Sequence, residues 1–217
     1  HTWGNCFFPG ATVIGHAKCR EFLLEYGVPS LESARKQNPN LRQVKIILPH
    51  LTFESGELTL RVGKKNLIFS QAFGHSQDGI SVLVEEDRVL FAGDAFMSLP
   101  YVVDGDIDDM IASVKRIGRL GLENIIQGHG DIILRGEIDA AVKDNLNYLN
   151  NIKKAVKTAA KRKDVDEYLE SITIESCGKS RVHLGGLAET LHRRNLRALY
   201  RQMHGDQNCR GFRPAFP

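Results

Sequence analysis

At 217 residues, with 42% hydrophobic and 25% charged side chains and a formal net charge of +3, the chain is long enough to bury a core and has the ordinary balance of a globular protein. No uninterrupted apolar stretch approaches the roughly 20 residues that a membrane helix needs, which excludes a helical span. The four cysteines, Cys6, Cys19, Cys177 and Cys209, are scattered without Cys-x-x-Cys spacing, so neither a thiolate zinc knuckle nor a dense disulfide framework is indicated and a reducing, cytoplasmic setting is expected.

Taken in order, the Pro9-Gly10 pair predicts a turn and Ala11 to Gly15 a short strand. Residues 16–26 are compatible with a helix, and His16 at the strand exit is expected to cap or pack rather than to bind a ligand. Pro29 to Arg42, with few apolar residues, predicts a polar loop with a helical turn. From Val44 to Val89 the pattern is one of short strands: Val44 to Leu48, Leu58 to Val62, Leu67 to Phe73, Ile80 to Val84 and Arg88 to Ala92, in a mostly antiparallel sheet.

After Asp94 the period becomes helical, with Ile107, Met110, Ile111, Val114, Ile117 and Leu120 recurring at spacings of three and four behind acidic Asp104, Asp106, Asp108 and Asp109. Gly121 ends that helix. A brief run, Ile125-Ile126, leads into Gly128-His129-Gly130. Glu137 to Lys161 reads as a long amphipathic helix and Leu187 to His204 as another, while Gly205 to Pro217 reads as a loose tail.

Three of these strand ends carry ligand-type side chains beside glycine. The first delivers Gly74-His75, the second Gly93-Asp94 and the third Gly128-His129-Gly130. Glycine lets the backbone turn sharply so that the next side chain can enter a cleft. Imidazole and carboxylate form the donor set that suits zinc, and also iron or manganese. His75, Asp94 and His129 are therefore the candidate metal residues, with His1 a fourth.

The order Gly74-His75-Ser76-x-Asp78-Gly79, then Val89-Leu90-Phe91-Ala92-Gly93-Asp94, then Gly105-Asp106-Ile107 opening a helix, then Gly128-His129-Gly130 resembles the metallo-β-lactamase superfamily over roughly the first 150 residues. In that family a His-x-His-x-Asp-His motif comes earlier, its last histidine often followed by Thr-Trp-Gly-Asn, similar to His1-Thr2-Trp3-Gly4-Asn5. The resemblance implies an α/β fold, the four-layer αβ/βα sandwich, in a chain cut within its first metal motif. It makes His75 a ligand of a first metal, Asp94 the bridging carboxylate, and His1 and His129 ligands of a second. Up to two zinc ions are implied for the complete protein. The activity implied is hydrolysis, with attack by a metal-bound hydroxide on an ester, thioester or lactam carbonyl. Since most ligands of the first position are absent from the chain, any metal it keeps is expected at the second.

The expected organisation is a metallo-β-lactamase-like domain over 1–161, a helical extension of it over 162–204, and a flexible tail over 205–217. Residues 151–217 carry 14 Lys/Arg against 7 Asp/Glu, which raises nucleic-acid binding or phosphodiester hydrolysis as an alternative. Basic runs on amphipathic helices are usually solvated faces, and no aromatic residues are interleaved here for base stacking. A small-molecule substrate is expected instead, with self-association through unpaired apolar faces, no nucleic acid and no membrane as partners. A non-catalytic remnant is the third reading.

Overall fold

The computed structural model describes residues 2–205, which fall into two compact units, one running to Glu57 and one starting at Leu58. In the first, β1 (Ile14–His16) pairs in parallel with β2 (Leu51–Phe53), and α1 (Ala17–Phe22) and α2 (Val28–Gln37) lie between them in sequence. His16 ends β1 and caps α1. Its Nδ1 accepts the Lys18 backbone N–H at 3.2 Å, which leaves Nε2 to donate to the Glu54 carbonyl at 3.1 Å. The capping role read from the sequence is the one found.

Two expectations fail in this unit. Pro29 to Arg42 is not a loop but contains most of α2: Pro29 sits in the first turn, where its missing N–H costs no helical bond, and Leu31 is buried as the anchor. Val44 to Leu48 forms no strand. The Val44 carbonyl instead takes the Arg35 guanidinium and the Pro49 carbonyl that of Arg20, so side chains satisfy acceptors that a neighbouring strand would otherwise fill.

The second unit is built on a six-stranded sheet in the order β3 (Glu57–Val62), β4 (Lys65–Gln71), β5 (Ile80–Val84), β6 (Val89–Gly93), β7 (Asn124–Gln127), β8 (Ile133–Leu134). Its alternation sorts the residues by face. Leu83, Leu90 and Ile125 fall on one row, and Leu90 and Ile125 are fully buried in the helix-covered core. Phe69, Val82, Phe91 and Ile126 form a row on the opposite face, where Phe91 is 45% exposed.

The helices covering the inner face follow the predicted period. α3 (Ile107–Ile117) buries Ile107, Met110, Ile111, Val114 and Ile117, and Asp106 caps it by accepting the N–H groups of Asp108 and Asp109 at 2.7 and 3.2 Å. α4 (Ile138–Ala159) buries Tyr148, Leu149, Ile152 and Val156. Each such side chain withdrawn from water contributes about 1.5–3 kcal/mol. A short α5 (Val165–Ser171), which the sequence does not announce, precedes α6 (Ala188–His204). Of the expected tail, all but Gly205 lies outside the described residues, and so does His1.

Strand direction positions the three candidate residues. β4 is antiparallel to β5, β5 is antiparallel to β6, and β6 is parallel to β7. β4, β6 and β7 therefore all run the same way and deliver His75, Asp94 and His129 beyond the same edge of the sheet. The parallel β6–β7 pair is possible because α3 and its flanking loops supply the long crossover that parallel neighbours require. A register irregularity between Phe91 and Gly93, one residue before Asp94, is the kind of bulge that re-aims a strand exit.

Candidate metal centre

The Asp94 carboxylate stands between the two imidazoles. His75 Nε2 lies 3.4 Å from Oδ2 and His129 Nε2 3.6 Å from Oδ1. The side chains of His75 and Asp94 are 16% and 12% exposed, whereas that of His129 is 48% exposed, so the site is walled on one side and open at His129. Gly128 permits this arrangement: a Cβ there would fall on Asp94 Oδ1 and lie 2.8 Å from the Gly93 carbonyl carbon. Gly74 does the same for the β4 exit. With φ +123° it takes a left-handed turn, and a Cβ would fall on the backbone of Met110 in α3.

His75 is held from behind by the loop between Asp94 and Asp106. Its carbonyl accepts the Val103 N–H at 2.8 Å, and its Nδ1 lies 2.7 Å from the Tyr101 carbonyl oxygen. A carbonyl can only accept, so Nδ1 carries a proton, and in the neutral ring the Nε2 lone pair is then directed at Asp94. In the neutral ring an Nε2 lone pair facing a carboxylate oxygen has no attraction of its own, and a cation between them would supply it. This back-bonded pose is the one metal-ligating histidines adopt.

The donor chemistry of His75, Asp94 and His129 thus fits a divalent metal. The described residues nonetheless provide two imidazole–carboxylate pairs sharing one carboxylate, and among them no group of three or more His, Cys, Asp or Glu side chains comes together as one that could hold a metal ion.

Asp104, which in the sequence reads only as helix-start acidity, neighbours His75 and Asp78. Its Oδ1 is buried without a hydrogen-bond partner among the described residues. Burial, and after it the charge of Asp78, pushes its carboxyl above the usual range, against the opposing pull of backbone hydrogen bonds from its own and the Gln77 N–H. The Tyr101 carbonyl left no trace in the sequence either, because any residue type supplies a carbonyl.

At this edge of the α/β sheet the strand exits set one carboxylate beside two imidazoles, one of them back-bonded. The chain belongs to the metallo-beta-lactamase superfamily, whose sequence profile matches residues 1–129.

Among curated proteins it is 35% identical over 60 residues to a beta-lactamase-like protein 2 homolog from Caenorhabditis elegans, covering 28% of this chain and 20% of that protein. It is 26% identical over 141 residues to the lactamase-like protein vrtG of Penicillium aethiopicum, covering 57% and 44%. The chain therefore spans less than half the length of each of these relatives. Among solved structures, a metallo-beta-lactamase family protein from Thermus thermophilus superposes with TM-score 0.61 at 20% identity over 94% of this chain and 71% of its own. A stereoselective inverting sec-alkylsulfatase from a Pseudomonas species superposes with TM-score 0.65 at 13% identity over 94% and 39%. At these identities the likeness is one of fold.

Proposed function

We propose that the protein of which this chain forms part is a zinc-dependent hydrolase of an ester, thioester or lactam carbonyl. The observation that carries this is the Asp94 carboxylate set between His75 Nε2 and His129 Nε2 at 3.4 and 3.6 Å. Metal bound there would act as a Lewis acid and lower the pKa of water. The chain's own residues present the donors: Tyr101 fixes the His75 tautomer, Asp94 offers one oxygen to each imidazole, and exposed His129 marks the side from which substrate enters. The family resemblance adds His1, which lies outside the described residues, to Asp94 and His129 as a metal ligand.

The basic C-terminal third favours this reading over a phosphodiesterase. Arg162 pairs with Asp164, Arg181 with Glu175, Arg193 with Glu189 and Arg197 with Glu170, so these four arginines are engaged within the chain rather than presented to phosphates.

The test is zinc content after dialysis and hydrolysis of activated esters and thioesters by the full-length protein, compared with its Asp94→Ala and His129→Ala variants. Loss of both zinc and turnover is expected. Turnover that survives both substitutions refutes the assignment.

A further inference from the structure

The loop from Ala95 to Gly105 does not lie on the surface as connections usually do: Phe96, Met97, Leu99 and Val102 are buried. Its peptide groups must then find partners inside the protein. Several find them on the helices. Asn145 of α4 donates to the Met97 carbonyl at 3.0 Å, and Gln202 of α6 donates to the Gly105 carbonyl at 2.6 Å.

Asn195 of α6, 1% exposed, makes the most telling contacts: its Nδ2 donates to the Pro100 carbonyl at 2.8 Å, and its Oδ1 accepts the Val102 N–H at 2.9 Å. A carbonyl on one side and an N–H on the other allow only one orientation of the amide. The two peptide groups it grips flank Tyr101, whose carbonyl receives His75 Nδ1–H.

We infer that Asn195, seconded by Gln202, is a positioning residue that sets the His75 tautomer from more than 90 residues away in sequence, by locking the Tyr101 carbonyl against Nδ1. The inference rests on the reading of His75 as a metal ligand for its consequence, though not for its geometry. With Tyr101 locked, the proton sits on Nδ1 and Nε2 keeps its lone pair for a cation. With the loop released, the competing tautomer gains: an Nε2–H can swing to donate to Asp94 Oδ2, now 3.4 Å away, and the metal donor is lost. A helix far from the strand exits in sequence thereby selects between a binding and a self-satisfied imidazole.

Long-range 1H–15N correlation spectra of the metal-free chain at about pH 8, where an ordinary imidazole is neutral, report the tautomer directly. The parent chain should show His75 protonated at Nδ1. Asn195→Ala should convert a substantial fraction to Nε2–H and weaken cobalt(II) binding about 10-fold, the lower end of the cost when a direct partner of a metal ligand is removed. Tyr148→Phe is the control. It deletes the hydroxyl that also contacts Asn195 Nδ2 at 3.1 Å while leaving both loop bonds, so a merely structural network would respond to it and the tautomer should not.

If Asn195→Ala does not fold, Gln202→Ala, on an exposed side chain, carries the test by the appearance of the Nε2–H form. A folded Asn195→Ala, or in its absence Gln202→Ala, with the parent tautomer overturns the inference. A tautomer shift in a chain whose parent does not bind cobalt(II) upholds the positioning role and overturns the metal reading instead.

Discussion

Gly128→Ala asks one methyl group to occupy the point where β7 leaves the sheet beside Asp94. The new Cβ would fall on Asp94 Oδ1 and come to 2.8 Å from the Gly93 carbonyl carbon and 2.9 Å from the Asp94 nitrogen, where real Cβ atoms essentially never approach within 3.0 Å. The Gly93–Asp94 backbone cannot simply retreat, because Gly128 N–H donates to the Gly93 carbonyl at 2.8 Å. The side chain of Asp94 therefore moves first and gives up its stations at 3.4 and 3.6 Å from the two imidazoles.

Overpacking of this kind costs about 1–3 kcal/mol, a minority of a domain's about 5–15 kcal/mol, so the variant should still fold. At about 2–4 °C per kcal/mol for a chain of this size, Tm should fall by roughly 2–12 °C. On the proposed role of Asp94, turnover should fall much further, since misplacing a catalytic group by on the order of 1 Å costs about 100-fold. Calorimetry with zinc titration measures both. A Gly128→Ala chain that binds zinc as tightly as its parent refutes the steric argument.

Lys179 is largely buried and donates to Asn145 Oδ1 at 2.8 Å; burial lowers its pKa from 10.5 to about 8. Between those values the unfolded chain binds the proton more tightly, so stability rises with pH through the window and is flat below it, by about 3 kcal/mol in all. Urea unfolding at about pH 7.5 and about pH 10 should show this gain in the parent and not in Lys179→Met, and an equal pH dependence in both counts against the buried ammonium. Leu149→Ala, at a fully buried position of α4, should cost about 2–5 kcal/mol in urea denaturation; a loss below about 1 kcal/mol would mean that α4 is not packed on the sheet as described.

The amino-acid sequence determined the elements whose period is local. The stripe of α3, the length of α4, the alternation of β3 and the glycine beside each of His75, Asp94 and His129 are set by neighbours in the chain, so the residues alone make them legible. Where the backbone's partners are distant side chains, local pattern misled. Val44 to Leu48 has the residues of a strand, but the carbonyls of Val44 and of Pro49 just after it go to arginines, and Pro29 to Arg42 has the polarity of a loop but contains most of α2, with Leu31 buried. A signal for Asn195 was present: a polar residue on the apolar stripe of α6, between Leu191 and Leu199, invites the question of what it bonds. The answer was not in the sequence.

Only the tertiary structure decided that β4, β6 and β7 point the same way, which brings three separated strand exits to one edge of the sheet. It alone decided that a carbonyl in a buried loop fixes one imidazole. Direction of pairing and hydrogen bonding between distant groups are set by the closure of the whole sheet and its helices, and no residue carries them by itself.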